Sequence, residues 1–148
     1  MPSPTTSDTG LAADLLSVVA RINRLATQRV TMQLPFAQAR LLSTIEDQGA
    51  TRISDLAELD HCSQPTMTTQ VRRLEDAGLV TRAVDPADAR AVLISITDRG
   101  VAALQQVRTD RGAAIDPFLE RLDDTDRQTL ADAVGVMRAL LLDAREQR

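Results

Sequence analysis

The stretch Ser63-Gln64-Pro65-Thr66-Met67-Thr68-Thr69-Gln70-Val71-Arg72-Arg73-Leu74-Glu75-Asp76-Ala77-Gly78 decides the fold. Ser63 can cap a helix, and Pro65 is tolerated in a first turn, where its missing N–H has no intrahelical bond to lose. Met67, Val71 and Leu74 stand at i, i+4 and i+7, so at about 100° per residue they cluster on one face. The opposite face shows Pro65, Thr66, Thr69, Arg72, Arg73 and Asp76, with Gln64 and Thr68 at its flank. Gly78 supplies the left-handed stop.

Upstream, Leu56, Ala57 and Leu59 predict a short helix capped by Ser54, and His61-Cys62 then falls in a turn. Downstream, Leu79–Val84 and Ala91–Ile96 are rich in β-branched and other apolar residues, and Val92, Ile94 and Ile96 alternate at period two. Asp85-Pro86-Ala87-Asp88-Ala89-Arg90 between them has turn chemistry. A short helix, a turn, a second helix and a hairpin make a winged helix-turn-helix. The expected fold class is mainly α with a small β-hairpin: a winged helix-turn-helix core plus terminal dimerisation helices.

The flanks read as helices. Leu11, Leu15, Val18, Ile22 and Leu25 predict one from about residue 9 to 30. A second opens at Leu34-Pro35, runs through Ala39, Leu41, Leu42 and Ile45, and stops at Gly49. Thr97 can cap a fifth helix with Asp98 in its first turn. Its stripe of Val101, Leu104, Val107, Ile115, Phe118 and Leu122 keeps phase past Pro117, which predicts a kink or restart there and no domain boundary. Thr125 and Gln128 form a capping-box pattern before a last helix carrying Leu130, Val134, Met137, Leu141 and Ala144. Residues 1–8, rich in Ser, Thr and Pro, read as a disordered lead-in. Residues 9–148 read as one domain, with dimerisation helices at 9–33 and 98–148 around a DNA-binding lobe at 34–97. Packed within one monomer, the two terminal stripes would leave much apolar surface in water. Leu11, Leu15, Val18, Ile22, Leu130, Val134, Met137 and Leu141 are therefore the expected dimer contacts.

Composition narrows the function. The chain has 148 residues, 43% hydrophobic and 26% charged, ordinary values for a globular protein. No apolar run is long enough to span a bilayer and no signal peptide is present, so a cytoplasmic protein with no membrane partner is expected. The single Cys62 excludes an internal disulfide and fits a reducing compartment. With no Trp, no Tyr and two Phe, the chain lacks the exposed rings on which single-stranded nucleic acid stacks. All 17 cations are Arg, and the net charge is −4. The acidic surplus lies away from the reader: residues 116–148 carry eight acids against five arginines, whereas Arg72 and Arg73 are the only charges in 63–73.

The exposed row suits double-stranded DNA. Small hydroxyls at Ser63, Thr66, Thr68 and Thr69, with Gln64, let a helix approach a groove closely and bond phosphates or touch thymine methyls. Arg72 and Arg73 can pair with phosphate or with guanine O6 and N7. Arg82 and Arg90 add cations on the hairpin, and Arg90 at its tip could enter a minor groove. Asp88 carries the wrong sign for DNA; it could pair with a nearby Arg to stiffen the loop, or serve only as a turn residue.

Residues 34–100 resemble the multiple-antibiotic-resistance regulator (MarR) family. The resemblance is carried by Ile53-Ser54-Asp55-Leu56-Ala57, Leu74-Glu75-Asp76-Ala77-Gly78-Leu79-Val80, Asp85-Pro86-Ala87-Asp88-Ala89-Arg90 and Ile96-Thr97-Asp98-Arg99-Gly100. It implies an obligate homodimer, a recognition helix at 63–77 and a wing whose Arg90 reaches the minor groove. It also implies repression from a pseudo-palindromic operator, relieved by a small phenolic or lipophilic effector or by oxidation, with no cofactor. The chain departs from the common pattern at Asp60-His61-Cys62, where an apolar residue is usual, and in having no basic residue early in the recognition helix.

Three rival readings remain. An enzyme would need a convergent constellation, and the single His61 with the adjacent Cys62 makes a poor base–nucleophile pair. Glu58–Cys62 faintly resembles the thiolate box of ArsR-type metal or redox sensors, but a thiophilic metal wants more than one Cys, so no metal site is expected. Cys62, just before a helix N-terminus, is also a candidate redox residue, set against inert packing. A protein-interaction module without DNA binding would leave the hairpin without a purpose.

Overall fold

The computed structural model describes residues 8–31 and 33–147. The expected lead-in at 1–8 lies outside these residues except for Asp8. The chain builds α1 (Asp8–Gln28), α2 (Phe36–Gln48), β1 (Thr51–Arg52), α3 (Ile53–Leu59), α4 (Gln64–Asp76), β2 (Val80–Asp85), β3 (Asp88–Ile96), α5 (Asp98–Leu119) and α6 (Asp124–Glu146). Contacts divide it into two compact units, one ending at Arg111 and one beginning at Gly112.

The first unit holds the core. Leu42, Ile45, Leu56, Met67, Val71, Leu74 and Ile94 are fully buried and come from α2, α3, α4 and β3. Burying each such side chain stabilises the fold by about 1.5–3 kcal/mol. The three strands are antiparallel in the order β1-β3-β2. Thr51 and Arg52 of β1 pair with Ile94 and Leu93. This short strand was not foreseen, because two residues carry no periodicity. The hairpin is longer than expected: Asp85 pairs with Asp88, with a register shift beside Val84, and only Pro86 and Ala87 form the turn.

Helix ends explain the connections. Two left-handed stops have the same pattern. After α3, the His61 N–H donates to Glu58 O and the Cys62 N–H to Ala57 O. After α4, the Gly78 N–H donates to Glu75 O and the Leu79 N–H to Leu74 O. Both are Schellman motifs, with His61 (φ 50°) and Gly78 (φ 72°) in the left-handed position. Two expected caps are corrected. Ser54 lies inside α3, whose cap position is Arg52 without a side-chain bond. Asp123, not Thr125, caps α6 by accepting the Asp126 N–H at 2.8 Å. α5 runs through Pro117 and ends two residues later, so the restart falls at Asp124.

α6, in the second unit, buries none of its residues. Leu130, Val134 and Leu141 are exposed, and Met137 is half-buried. On α1, Leu11, Val18 and Ile22 are exposed and Leu15 is half-buried.

Candidate nucleic-acid interface

Helix α4 is built from its cap outward. The Ser63 hydroxyl accepts the Thr66 N–H at 3.3 Å and shares a 2.8 Å bond with the Thr66 hydroxyl. Thr68 and Thr69 donate their hydroxyls to the carbonyls of Gln64 and Pro65. These bonds fix the rotamers of a short hydroxyl row while leaving the oxygens' acceptor lone pairs outward. Met67, Val71 and Leu74 anchor the opposite face, so the helix can turn only one side to a ligand. Ser63, Gln64, Thr66, Thr68, Thr69, Arg72 and Arg73 are all exposed together on that side. No carboxylate among the described residues is in ion-pairing range of Arg72, Arg73 or Arg90.

The hairpin is tied to the body at two points. Arg82 Nε donates to Glu75 Oε2 at 2.7 Å, joining β2 to α4. Arg82, expected as a DNA contact, is thus engaged within the protein. Arg52 Nε and an Nη donate to one Asp85 oxygen at 3.2 and 2.6 Å, joining β1 to the turn. The other Asp85 oxygen accepts the Ala87 N–H at 2.9 Å. The Arg52 hydrogen bond, and after it the Ala87 N–H, hold the Asp85 carboxyl below the usual carboxylate range. The same hydrogen bond raises Arg52.

Asp88 takes the turn role. It accepts the Arg90 N–H at 3.0 Å, and the ion pair that stiffens the hairpin belongs to Asp85 instead. Arg52 was missed by sequence reasoning; its partner lies 33 residues away and no spacing rule connects them. Arg40 reaches Asp60 at 2.6 Å and fastens α2 to the turn before α4.

Cys62 is free and half-buried, packed against the hydrophobic core. Among the described residues no group of His, Cys, Asp and Glu could hold a metal ion, and no helix is long and apolar enough to cross a membrane.

A core-anchored helix with one polar face, preceded by a helix-turn and followed by a hairpin wing that pairs with β1, defines a winged helix-turn-helix regulator. The model of the MarR family matches residues 34–92. The HTH-type transcriptional regulator MT0903.1 of Mycobacterium tuberculosis is 32% identical over 136 residues, covering 91% of this chain and 95% of its own. The HTH-type transcriptional repressor MdtR of Bacillus subtilis is 27% identical over 90 residues, 61% of this chain and 58% of its own. The fold matches wild-type MarR of Escherichia coli in its apo form with a TM-score of 0.66 at 22% identity, covering 86% of this chain and 96% of that one. The chain belongs to the MarR family of DNA-binding transcriptional regulators.

Proposed function

We propose that the protein is a homodimeric repressor that reads a pseudo-palindromic operator through α4 and the wing. The observation that carries this reading is the exposed row from Ser63 to Arg73 on a helix whose other face is locked into the core. The row is short-chained at the N-terminal end and cationic at the C-terminal end, which suits close approach to base edges with phosphates beyond. Arg90 stands where a wing tip can reach the adjacent minor groove. The exposed apolar side chains of α1 and of α6 support dimerisation through both helices, as the family resemblance implies. The repressor reading is supported by resemblance to MdtR, which is named a repressor.

Release by a small phenolic or lipophilic effector is supported by a cleft of about 310 Å³ in the first unit. Leu34, Leu79, Ala103 and Val107 give it an apolar wall, and Gln106 and Arg99 offer polar atoms. Ala77 and Leu79 belong to the stop of α4, so an occupant there would act on the end of the recognition helix. The test is a gel shift on the DNA upstream of the chain's own gene, with and without salicylate. A retarded band that salicylate weakens supports the whole reading. No retardation removes it, and retardation indifferent to salicylate and to other phenols removes the effector half.

A further inference from the structure

We propose that Val84 and Val92 form an apolar saddle that packs on the deoxyribose strand running between the groove read by α4 and the groove entered by the wing. This rests on the DNA-binding reading above and adds a contact surface to it.

The two valines are direct cross-strand partners in the hairpin. They are 63% and 37% exposed, an apolar pair open to water beyond the fully buried Ile94. Directly opposed residues share a face of the sheet, and so do residues two apart along a strand. Arg82 and Ile94, the next pair toward the body, therefore share the valines' face. Ile94 is fully buried, and Arg82 is bound to Glu75 of α4. The valine pair thus continues the face that packs on α4, about 7 Å farther out. Arg90 follows two residues beyond Val92, and Arg72 and Arg73 stand exposed on α4. An apolar pair set between cations on both sides matches one strand of a duplex, whose phosphates alternate with the C–H faces of its sugars. A protein partner would want a larger anchor, such as an aromatic ring, and the wing offers none.

Val84→Thr and Val92→Thr test the surface. Both keep β-branching and nearly the same volume, so the hairpin should persist, as circular dichroism would verify. Kd is measured by fluorescence anisotropy across a salt series, on the duplex upstream of the chain's own gene and on a scrambled duplex. Each substitution should weaken binding to both duplexes by about fourfold for each wing in contact, the value of one methyl returned to water. The slope of log Kd against log salt should stay unchanged, because an apolar contact releases no counterions. Unchanged affinity, an altered slope, or a change in oligomeric mass with DNA binding intact would each overturn the proposal. A wild-type chain with no affinity for either duplex would remove the DNA reading itself, and the saddle with it.

Discussion

Gly100 occupies a position that no other residue could take without a shift of the backbone. A Cβ there would lie 2.1 Å from the Leu79 carbonyl oxygen. The neighbouring Thr97 explains why the chain comes so close. Its hydroxyl donates to Gly78 O at 2.7 Å and accepts the Gly100 N–H at 3.1 Å, while its own N–H donates to Leu79 O. One threonine caps α5 and pins it to the stop of α4. Gly100→Ala should cost about 3 kcal/mol of stability, read from urea unfolding. A loss under about 0.5 kcal/mol would mean that the two helices separate freely. His61 is the opposite case. It holds a left-handed conformation without being glycine, so relief of strain outweighs the added freedom of the unfolded chain. His61→Gly should raise stability by about 0.5–1 kcal/mol in the same measurement.

At the scale of elements, the wing depends on a tether of one arginine and one aspartate. Asp85 titrates below its unfolded value of about 3.9, so the tether contributes fully above that pH. Its contribution fades as pH falls through the lower folded value. Hydrogen exchange should therefore show the β2–β3 tip loosening in acid ahead of α4. Asp85→Asn should loosen the tip already at neutral pH and abolish that acid step. A tip equally protected in both proteins would deny the tether its role. The hairpin itself was legible in the alternation of Val92, Ile94 and Ile96, and α4 in the spacing of Met67, Val71 and Leu74. The tether was not, since Arg52 and Asp85 meet only after β1 pairs with β3. Caps were the weakest reading: Ser54 and Thr125 have the right chemistry, but Asp123 and the β1–α3 junction start the helices earlier. Local composition permits several starts within one turn, and tertiary packing selects among them.

For the whole molecule, the exposed row of α4 was readable residue by residue, because helix geometry alone fixes which side faces out. Pairing of Arg82 with Glu75 was not readable, as it needs the hairpin folded back on α4. The apolar side chains left open on α1 and α6 lead to the expectation of a dimer at micromolar concentration in sedimentation, and a stable folded monomer would contradict it. The central claim is that α4 and the wing hold DNA, and Kd of Arg72→Ala, Arg73→Ala and Arg90→Ala on operator and scrambled duplexes across a salt series tests it most directly. Arg72→Ala should make the salt dependence shallower by about 0.9 log unit per lost phosphate contact. Arg73→Ala should relax sequence preference by roughly 1–3 kcal/mol per half-site through a lost guanine contact. Arg90→Ala should weaken A·T-rich, narrow-groove sites most. Unchanged affinity in both Arg73→Ala and Arg90→Ala, with the fold intact by circular dichroism, would contradict the claim.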